Sequence, residues 1–438
     1  MLLKDKKILI FVSGSIAIYK ILQLIRLLRK NGALVRIIAT KSALKFITQL
    51  SFETLSGTIL LHDENENWID IESGNIENIA QANHLNDCNN KDTTKNITDF
   101  KPKVNHIGYA KWADIALFAP ITANSINKLA NGIADNIYLS SALALPDIPK
   151  LFAPSANTFM LKNKATQSSI QKLQSNGYEI IQPVFGSLAC GDVGDGAMAS
   201  VETILFTIIR ACYKNAYWQD KKVVVTGGGS SEAIDSVRCV SNNSSGLQAC
   251  NIALALYYLG ANVTLISSKF PIVLPHFIKT ITVTSSSDYE IAINETIFKY
   301  KDSIKSSEKI YLFMAAAISD YIPEKKEGKL KKQDIGSKMT LQLYENKDIL
   351  ATLQGQNLVK IGFKAEYDSP NAKTNAYDAL TKKQCNMICL NIINEDNMSF
   401  GNTHNKLYLI TKDSEKYIQG SKLEVSLEIC LHLQTLGI

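Results

Sequence analysis

The sequence predicts an α/β protein with two doubly wound, Rossmann-like units, and three observations indicate this. Short apolar runs typical of buried strands alternate with helical segments in both halves of the chain. A turn rich in glycine and serine follows the first predicted strand of each half, at 13–15 and at 226–232. A chain of 438 residues is also too long for one ordinary core. We therefore expect parallel sheets with right-handed crossovers.

The composition is that of an ordinary globular protein, with 46% hydrophobic and 20% charged residues. The formal net charge of +6 is modest and does not indicate nucleic-acid binding. Eight cysteines without a CxxC pair do not form a disulfide framework. The N-terminus does not resemble a signal peptide, and no apolar run reaches the roughly 18 residues of a membrane span. We expect a cytoplasmic protein with neither a membrane nor a nucleic-acid partner.

The first half opens with a strand at 7–12, a helix at about 16–30 and a second strand at 34–39. Gly14 and Ser15 follow the first strand, and Thr40 and Ser42 follow the second. Backbone N–H groups and hydroxyls at a helix start suit a phosphate, but each junction can equally be an ordinary N-cap. The first turn lacks the full GxGxxG pattern, so it is poor support for a dinucleotide site.

Residues 63–104 interrupt this alternation. Nine asparagines and many acidic residues predict a low-complexity surface insertion without regular structure. After it, the sequence predicts a strand at 115–119, helices after Pro120 and at 137–145, and a strand at 150–153.

The segment 186–198 combines four glycines with one cysteine, Cys190. Glycine at this density argues against a regular element. On composition alone, the segment is either an ordinary loop with a small buried cysteine nearby or a mobile lid that carries a proton donor.

Six motifs of the first half occur in one order, and together they closely resemble the flavin-dependent cysteine decarboxylases of coenzyme A biosynthesis. They are GSIAIYK (14–20), HIGYAKWAD (106–114), APITAN (119–124), NGIADN (131–136), PSAN (154–157) and ACGDVGDGAM (189–198). The resemblance implies a flavodoxin-like, doubly wound flavoprotein domain that binds FMN and trimerises with the flavin between subunits.

The resemblance also implies roles for individual residues. His106 falls on the family's catalytic base, Asn157 on the asparagine that holds the substrate carboxylate, and Cys190 on the cysteine that reprotonates the product. In that family FMN oxidises the substrate thiol, so that the electrons left by CO2 have an acceptor. The implied FMN positions are Gly14, Ser15, Ile16, Thr40, Ser42, Pro120, Thr122, Asn124, Asp135 and Asn136. The sequence departs from the family at Ala197, where an arginine is common, and at Ser155 and Ala156.

The second half begins after a helix that ends in a polar hinge at 213–220. Strands are predicted at 222–225, 262–267, 311–317 and 359–363, and helices at 247–259 and after 346. Taken alone, the turn at 226–232 suits any Rossmann-like phosphate site, and the lysine run at 324–333 is typical of a solvated face.

The motifs of this half resemble the phosphopantothenate–cysteine ligases, which in most bacteria are fused behind the decarboxylase. They are VTGGG (225–229), IDSVR (234–238), SNNSSG (241–246), AAAISDY (315–321), GKLKKQ (328–333), NKDIL (346–350), GFKAE (362–366) and NMICLNI (386–392). The resemblance implies a Rossmann-like dimer that uses CTP and Mg2+. CTP activates the carboxylate of 4′-phosphopantothenate as an acyl-cytidylate, which the cysteine amine attacks.

Carried over by position, Asn242 contacts the activated acyl intermediate, with Arg238 beside it, and Lys329 is the key lysine. The other implied substrate and CTP positions are Ala317, Asp320, Lys331, Asn346, Asp348, Ile349, Phe363 and Lys383. No metal ligand is assigned. Glycine, serine or alanine replaces three prolines and an arginine of the family's first turn, at Gly229, Ser231, Ala233 and Ser236, and a family lysine is here Ala379. We expect a looser turn and a weaker hold on the nucleotide.

The sequence therefore predicts a bifunctional enzyme with a decarboxylase domain at 1–200, a connecting helix and hinge at 201–220, and a ligase domain at 221–438. Homo-oligomers are expected, as decarboxylase trimers and ligase dimers, with a dodecamer as one form. Two alternatives remain: an active decarboxylase with an impaired ligase, and a non-catalytic FMN-binding regulatory protein. A nicotinamide dehydrogenase is disfavoured because neither half has a complete GxGxxG.

Overall fold

The computed structural model describes residues 1–67, 105–187, 191, 193–305, 307–331, 333, 336–367, 370–393 and 403–438. They form two compact units, Met1–Cys212 and Tyr213–Ile438. The polar segment 213–220 thus opens the second unit, while the functional domain boundaries remain a prediction. Within the described residues, no helix combines the length and the apolar character needed to span a bilayer.

The first unit contains a six-stranded, fully parallel sheet with the strand order β3-β2-β1-β4-β5-β6. Its strands are β1 (Lys7–Val12), β2 (Leu34–Ala39), β3 (Leu60–Leu61), β4 (Ile115–Ile121), β5 (Lys150–Pro154) and β6 (Tyr178–Ile180). This order is that of a doubly wound fold, in which ligands bind where the order reverses, between β1 and β4. The predicted fold class is confirmed.

Helices surround this sheet, and a two-stranded hairpin follows it. The helices are α1 (Tyr19–Lys30), α2 (Gln49–Ser56), α3 (Asn105–Trp112), α4 (Ala123–Ala130), α5 (Ile137–Leu143), α6 (Thr158–Lys162), α7 (Lys164–Ser175) and α8 (Val201–Tyr213). The hairpin pairs β7 (Val184–Ser187) with β8 (Val193–Ala197). The prediction that the glycine-rich segment 186–198 forms no regular element is therefore wrong at 186–187 and 193–197, where backbone pairing outweighs the low strand preference of glycine. In the core, the rings of Phe11 and Phe118 stack at 4.4 Å, and Tyr138 packs edge-on against both.

Several predicted elements differ from the structure in detail. The helix expected from residue 16 starts as a 3-10 turn, Ile16–Ile18, because Ser15 caps it before α1 begins. The predicted insertion, 63–104, is ordered at its start: Asp63–Asn65 is a 3-10 turn, and Asp63 Oδ1 accepts a hydrogen bond of 2.8 Å from Ile137 N. The rest of the insertion, 68–104, lies outside the described residues.

The second unit contains an eight-stranded sheet with the order β13-β12-β9-β14-β17-β18-β19-β20. The first six strands are parallel, and β19 and β20 add antiparallel at one edge. They are β9 (Lys222–Gly227), β12 (Asn262–Ser267), β13 (Lys279–Thr282), β14 (Ile310–Met314), β17 (Leu358–Tyr367), β18 (Met387–Ile393), β19 (His404–Ile410) and β20 (Glu415–Ser421). Two small antiparallel pairs are β10 (Ser231–Ala233) with β11 (Cys239–Ser241), and β15 (Tyr321–Pro323) with β16 (Leu343–Glu345).

The helices of this unit are α9 (Leu247–Leu259), α10 (Ser286–Lys301), α11 (Ile349–Thr352), α12 (Ala372–Lys382) and α13 (Lys422–Thr435). The strand predicted at 311–317 ends three residues early, at Met314. Beyond it the chain turns onto the glycine-rich turn, where Ala317 N donates to Gly228 O at 2.8 Å. The backbone of Ala317 therefore bonds to the glycine-rich turn, beyond the carboxyl end of β14, instead of extending the strand.

Candidate functional sites

The first site lies at the carboxyl ends of β1 and β2, where Gly14 and Ser42 approach closely. A Cβ atom added to Gly14 would lie 2.6 Å from Ser42 Cβ, well inside any normal contact. Glycine at position 14 is therefore required by packing, because it allows the ends of β1 and β2 to approach each other.

Ser13 joins this turn to β4. Its buried hydroxyl donates to Pro120 O at 2.9 Å and accepts from Thr122 N at 2.9 Å. A further hydroxyl contact of 2.9 Å links Ser15 to Ser155, which follows β5. Four strand ends are thus held together at the point where the strand order reverses.

The hydroxyls of three predicted FMN positions accept backbone N–H bonds after strand ends: Ser15 and Thr122 as N-caps, and Thr40 ahead of the 3-10 turn Ala43–Lys45. Ser15 Oγ accepts from Ala17 N at 3.3 Å, Thr40 Oγ1 from Ala43 N at 3.3 Å, and Thr122 Oγ1 from Ser125 N at 3.4 Å. Capping and ligand binding are compatible, because a cap fixes a helix N-terminus whose remaining N–H groups point outwards. Ile16 and Asn124 are exposed beside these caps.

Asp135 and Asn136 belong to the start of α5. Asn136 Oδ1 accepts from Leu139 N at 2.9 Å and caps the helix, and Asp135 pairs with Lys128 of α4. Among the described residues, the side chains of Asp135 and Asn136 contact helices and not the strand ends.

His106 lies in the first turn of α3, with its side chain only 12% exposed. Its Nδ1 is 3.0 Å from Glu66 Oε1. Asn157 caps α6, with its Oδ1 accepting from Phe159 N at 2.9 Å. Cys190, the third predicted catalytic residue of this unit, lies outside the described residues.

The β7–β8 hairpin, from whose connection Cys190 comes, is docked on the start of α6. Ala156 N donates to Gly196 O at 3.3 Å, and Lys162 Nζ pairs with Asp195 Oδ2 at 3.0 Å. A Cβ atom at Gly194 would lie 2.2 Å from Thr158 Oγ1, so glycine allows this approach. The hairpin thereby covers the residues next to Asn157.

Lys20 anchors the chain just after this hairpin. Its Nζ donates to Met198 O at 2.8 Å, which ties the end of the hairpin to α1. Burial lowers the pKa of Lys20, and the nearby carboxylate of Glu202 opposes that shift.

In the second unit, a cavity of about 720 Å3 opens beside the glycine-rich turn. Eight predicted positions line it: Asn242, Ala317, Asp320, Asn346, Asp348, Ile349, Phe363 and Lys383. Three of the four predicted cations line a second, more open cleft: Arg238, Lys329 and Lys331. The structure therefore distributes the predicted ligase residues over two concavities of one unit, whose lining residues do not overlap.

Polar contacts hold the wall of the first cavity. Asn346 Nδ2 donates to Ser319 O at 2.7 Å, and Asn346 N donates to Asp320 O at 2.7 Å. Asn242 Nδ2 donates to Ala317 O at 3.1 Å. Asp348 caps α11 through Ala351 N at 3.1 Å and pairs through its other oxygen with Lys383 Nζ.

The glycine-rich turn packs directly against Asn242. A Cβ atom at Gly229 would lie 2.7 Å from Asn242 O, and one at Gly228, whose φ is +75°, would lie 2.2 Å from Ser268 Oγ. Ser230 adds two hydrogen bonds, accepting from Ser319 N at 3.0 Å and, through its carbonyl, from Ser241 Oγ at 2.9 Å. In this chain the turn is held by hydrogen bonds and close packing.

Asp235 bonds to three residues that line the second cleft. Its buried carboxylate accepts hydrogen bonds from Val237 N, Arg238 N and Leu330 N at 2.8, 2.8 and 3.1 Å, and it pairs with the Arg238 guanidinium at 2.7 Å. These bonds, led by that from Val237, hold the pKa of Asp235 well below its usual range. The loop of Arg238 is thereby fixed to the segment that carries Lys329 and Lys331.

Lys360 connects two segments that line the first cavity. Its buried Nζ donates to the carbonyls of Leu350 and Leu353 at 3.2 and 3.0 Å and to that of Lys383. Burial lowers the pKa of Lys360. One ammonium thus ties α11 to the end of α12, next to the Asp348–Lys383 pair.

Sequence reasoning missed several residues that shape these sites. Ser13 and Lys360 had a local signal, since the first follows a strand and the second is a lone lysine inside an apolar strand. Glu66 had none, because 39 intervening residues separate it from His106 in the chain. No cluster of three or more His, Cys, Asp or Glu suited to a metal occurs among the residues that the structure describes.

Comparison with known protein families covers both units. The Flavoprotein family model matches residues 2–212. The model of the DNA/pantothenate metabolism flavoprotein C-terminal domain matches residues 218–436.

Solved structures with similarity to single units include a PPC decarboxylase variant complexed with pantothenoylaminoethenethiol. It is 30% identical, with a TM-score of 0.37, and the match covers 47% of this chain and 97% of that one. The C-terminal domain of a coenzyme A biosynthesis bifunctional protein CoaBC is 28% identical, with a TM-score of 0.38 and coverage of 50% and 96%.

Full-length relatives match both halves at once. The coenzyme A biosynthesis bifunctional protein CoaBC of Vibrio vulnificus is 32% identical, over 99% of this chain and 98% of the relative. That of Escherichia coli K12 is 31% identical over 97% and 95%, and that of Borreliella burgdorferi is 32% identical over 97% and 98%. With both halves matched in order and over nearly their whole length, the chain belongs to the family of coenzyme A biosynthesis bifunctional proteins.

Proposed function

We propose that this bifunctional enzyme joins cysteine to 4′-phosphopantothenate with CTP and then decarboxylates the product to 4′-phosphopantetheine with FMN. One observation carries the proposal. Each of the two compact units matches one of the two family models, and each has a glycine-dependent strand-end turn beside its predicted residues.

For the first unit, the strand-end geometry fits a flavin phosphate. The backbone at Gly14, the turn after Thr40 and the starts capped by Ser15 and Thr122 would offer N–H donors to an anion. Bound FMN would supply the reversible two-electron oxidation that makes loss of CO2 possible.

The chain's own residues would bind the substrate and move its protons. Because Asn157 Oδ1 is used as a cap, its Nδ2 is the group that would donate to the substrate carboxylate. His106 would act as the base, since a histidine changes protonation near neutral pH. The proposed role of Cys190 as the proton donor rests on the sequence resemblance alone.

For the second unit, the cavity of about 720 Å3 is large enough for a nucleotide together with an acyl group. Asp348 and Lys383 lie in its wall, and we assign CTP to it. Lys329 and Lys331 are exposed in the second cleft and would neutralise phosphate charge there. Mg2+ is proposed as the metal, without assigned ligands.

Two half-reactions, measured separately on the full-length protein, test this proposal. Pyrophosphate release reports ligation of 4′-phosphopantothenate and cysteine, and CO2 release reports decarboxylation of supplied 4′-phosphopantothenoylcysteine. We expect Cys190→Ser to lose CO2 release while keeping pyrophosphate release, and Lys329→Gln to do the reverse.

Other outcomes would identify the alternatives. CO2 release without pyrophosphate release in the wild type would indicate an impaired ligase, in line with the changed residues at Gly229 and Ser231. A yellow protein with neither activity would indicate an FMN-binding regulatory protein. A preparation that binds no flavin would contradict the first half of the proposal.

The cellular location and the assembly complete the proposal. We assign the enzyme to the cytoplasm and expect a homo-oligomer. Light scattering of the purified protein tests the assembly, and a monomeric mass would contradict it.

A further inference from the structure

Glu66 lies beside the proposed catalytic base. Its Oε1 is 3.0 Å from His106 Nδ1. The histidine side chain is 12% exposed and the glutamate side chain 34%, so the contact is largely shielded from water.

The position of Glu66 is fixed by the residue that precedes His106. Asn105 Nδ2 donates to Asn65 O at 3.0 Å, and Asn105 N donates to Asn67 O at 3.0 Å. The carbonyls on both sides of Glu66 are therefore bound to Asn105, the first residue of α3 and the neighbour of His106 in the chain.

The preceding turn is anchored as well. Asn65 Oδ1 accepts from His62 N at 2.8 Å, and Asn65 Nδ2 donates to Leu60 O at 2.7 Å. The segment is thereby continuous with β3, an edge strand of the sheet that builds the strand-end site. Glu66 is thus held by the fold rather than by a loose surface loop.

The chemistry of this pair is directional. The 3.0 Å contact is an ion-pair contact rather than an aligned hydrogen bond. A carboxylate oxygen this close repels a lone pair on Nδ1 of His106, so it favours the tautomer with the proton on Nδ1. The lone pair of the neutral ring is then on Nε2, and the carboxylate also stabilises the imidazolium that forms when Nε2 takes a proton.

We propose that Glu66 is a positioning residue for decarboxylation, which holds His106 in the Nδ1–H tautomer so that Nε2 is the base. This inference rests on the proposed function of His106. It also gives a role to the start of a segment whose composition predicted no ordered structure.

The experiment uses the full-length, FMN-loaded protein with 15N-labelled histidine, and His106→Gln assigns the His106 ring signals. We expect Glu66→Ala to lower the share of the Nδ1–H tautomer and to reduce the kcat of CO2 release about 10- to 100-fold, a part of the roughly 10²- to 10⁴-fold that a positioned general base contributes. Glu66→Gln keeps an acceptor oxygen and should lie between Glu66→Ala and the wild type. Glu64→Gln is the matched control, because Glu64 is an exposed glutamate of the same turn, 3.6 Å from Lys41, and it should keep the wild-type tautomer and kcat.

Different results would contradict the role of Glu66 and the role of His106. If His106→Gln is inactive while Glu66→Ala keeps the wild-type tautomer and kcat, the role of Glu66 is overturned and the base remains. If His106→Gln releases CO2 at the wild-type rate, the base itself is misassigned and the inference about Glu66 falls with it.

Discussion

Lys383 Nζ lies 2.9 Å from Asp348 Oδ2, and this ion pair joins the end of α12 to the N-terminus of α11 in the wall of the first cavity. Asp348 uses its other oxygen to cap α11. The resemblance had implied both residues, 35 positions apart in the chain, as CTP positions, and the fold brings the two side chains into contact.

The pair leads to a prediction about CTP. Asp348→Asn keeps an oxygen for the cap but loses the charge, and Lys383→Gln loses the cation. Because the pair is partly exposed, we expect each variant to raise the KM for CTP by about two- to fivefold, the effect of ~0.5–1 kcal/mol. The double variant should cost less than the product of the single effects. Lys373→Gln, which breaks the Lys373–Glu415 pair outside the cavity, is the control, and pyrophosphate release kinetics are the measurement.

Gly14→Ala should impair flavin binding. The added methyl would meet Ser42 Cβ at 2.6 Å, so the two strand ends must separate, at a cost of about 1–3 kcal/mol. We expect a lower flavin absorbance per protein and a lower unfolding temperature. Gly108→Ala is the matched control, since that helical glycine has nothing within 4 Å of an added Cβ. Full flavin occupancy in Gly14→Ala would contradict this account of the site.

Gly194→Ala should displace the hairpin from α6. Its Cβ would lie 2.2 Å from Thr158 Oγ1 and 3.3 Å from Thr158 Cβ. We expect CO2 release to slow while pyrophosphate release stays unchanged. Removing the hydroxyl with Thr158→Ala in the same chain should restore most of the rate, because only the 3.3 Å contact remains. A double variant as slow as Gly194→Ala would show that the clash with Thr158 does not cause the slower CO2 release.

We predict that the stability of the second unit depends on pH through Asp235. Its pKa in the folded state lies below the unfolded value of about 3.9, so its stabilising effect is present above that pH and is lost as the pH falls through the folded pKa. We expect Asp235→Asn to lower the urea midpoint of the second unit at pH 7, with a gap to wild type that narrows below about pH 4. Asp378→Asn, at an exposed position of α12, is the control. A gap that does not change with pH would mean that the carboxylate charge is not what stabilises the loop.

Local pattern accounts for much of the fold. The apolar runs at 7–12, 34–39 and 262–267 are strands with the predicted bounds, and the helix at 247–259 also matches. Strand ends were less predictable. The strand expected at 311–317 stops at Met314, because Ala317 hydrogen-bonds with the glycine-rich turn nearly 90 residues earlier.

By itself, the sequence of this protein determined the alternation of strands and helices, the two strand-end turns and the order of the motifs. These depend on residues close together in the chain, whose spacing matches the period of a strand or a helix. Only the tertiary structure decided that Glu66 contacts His106, that Ser13 joins β1 to β4, and that Lys329 lines a different cleft from Lys383. Such pairings depend on how sheet order and loop paths bring distant segments together, and no local periodicity encodes them.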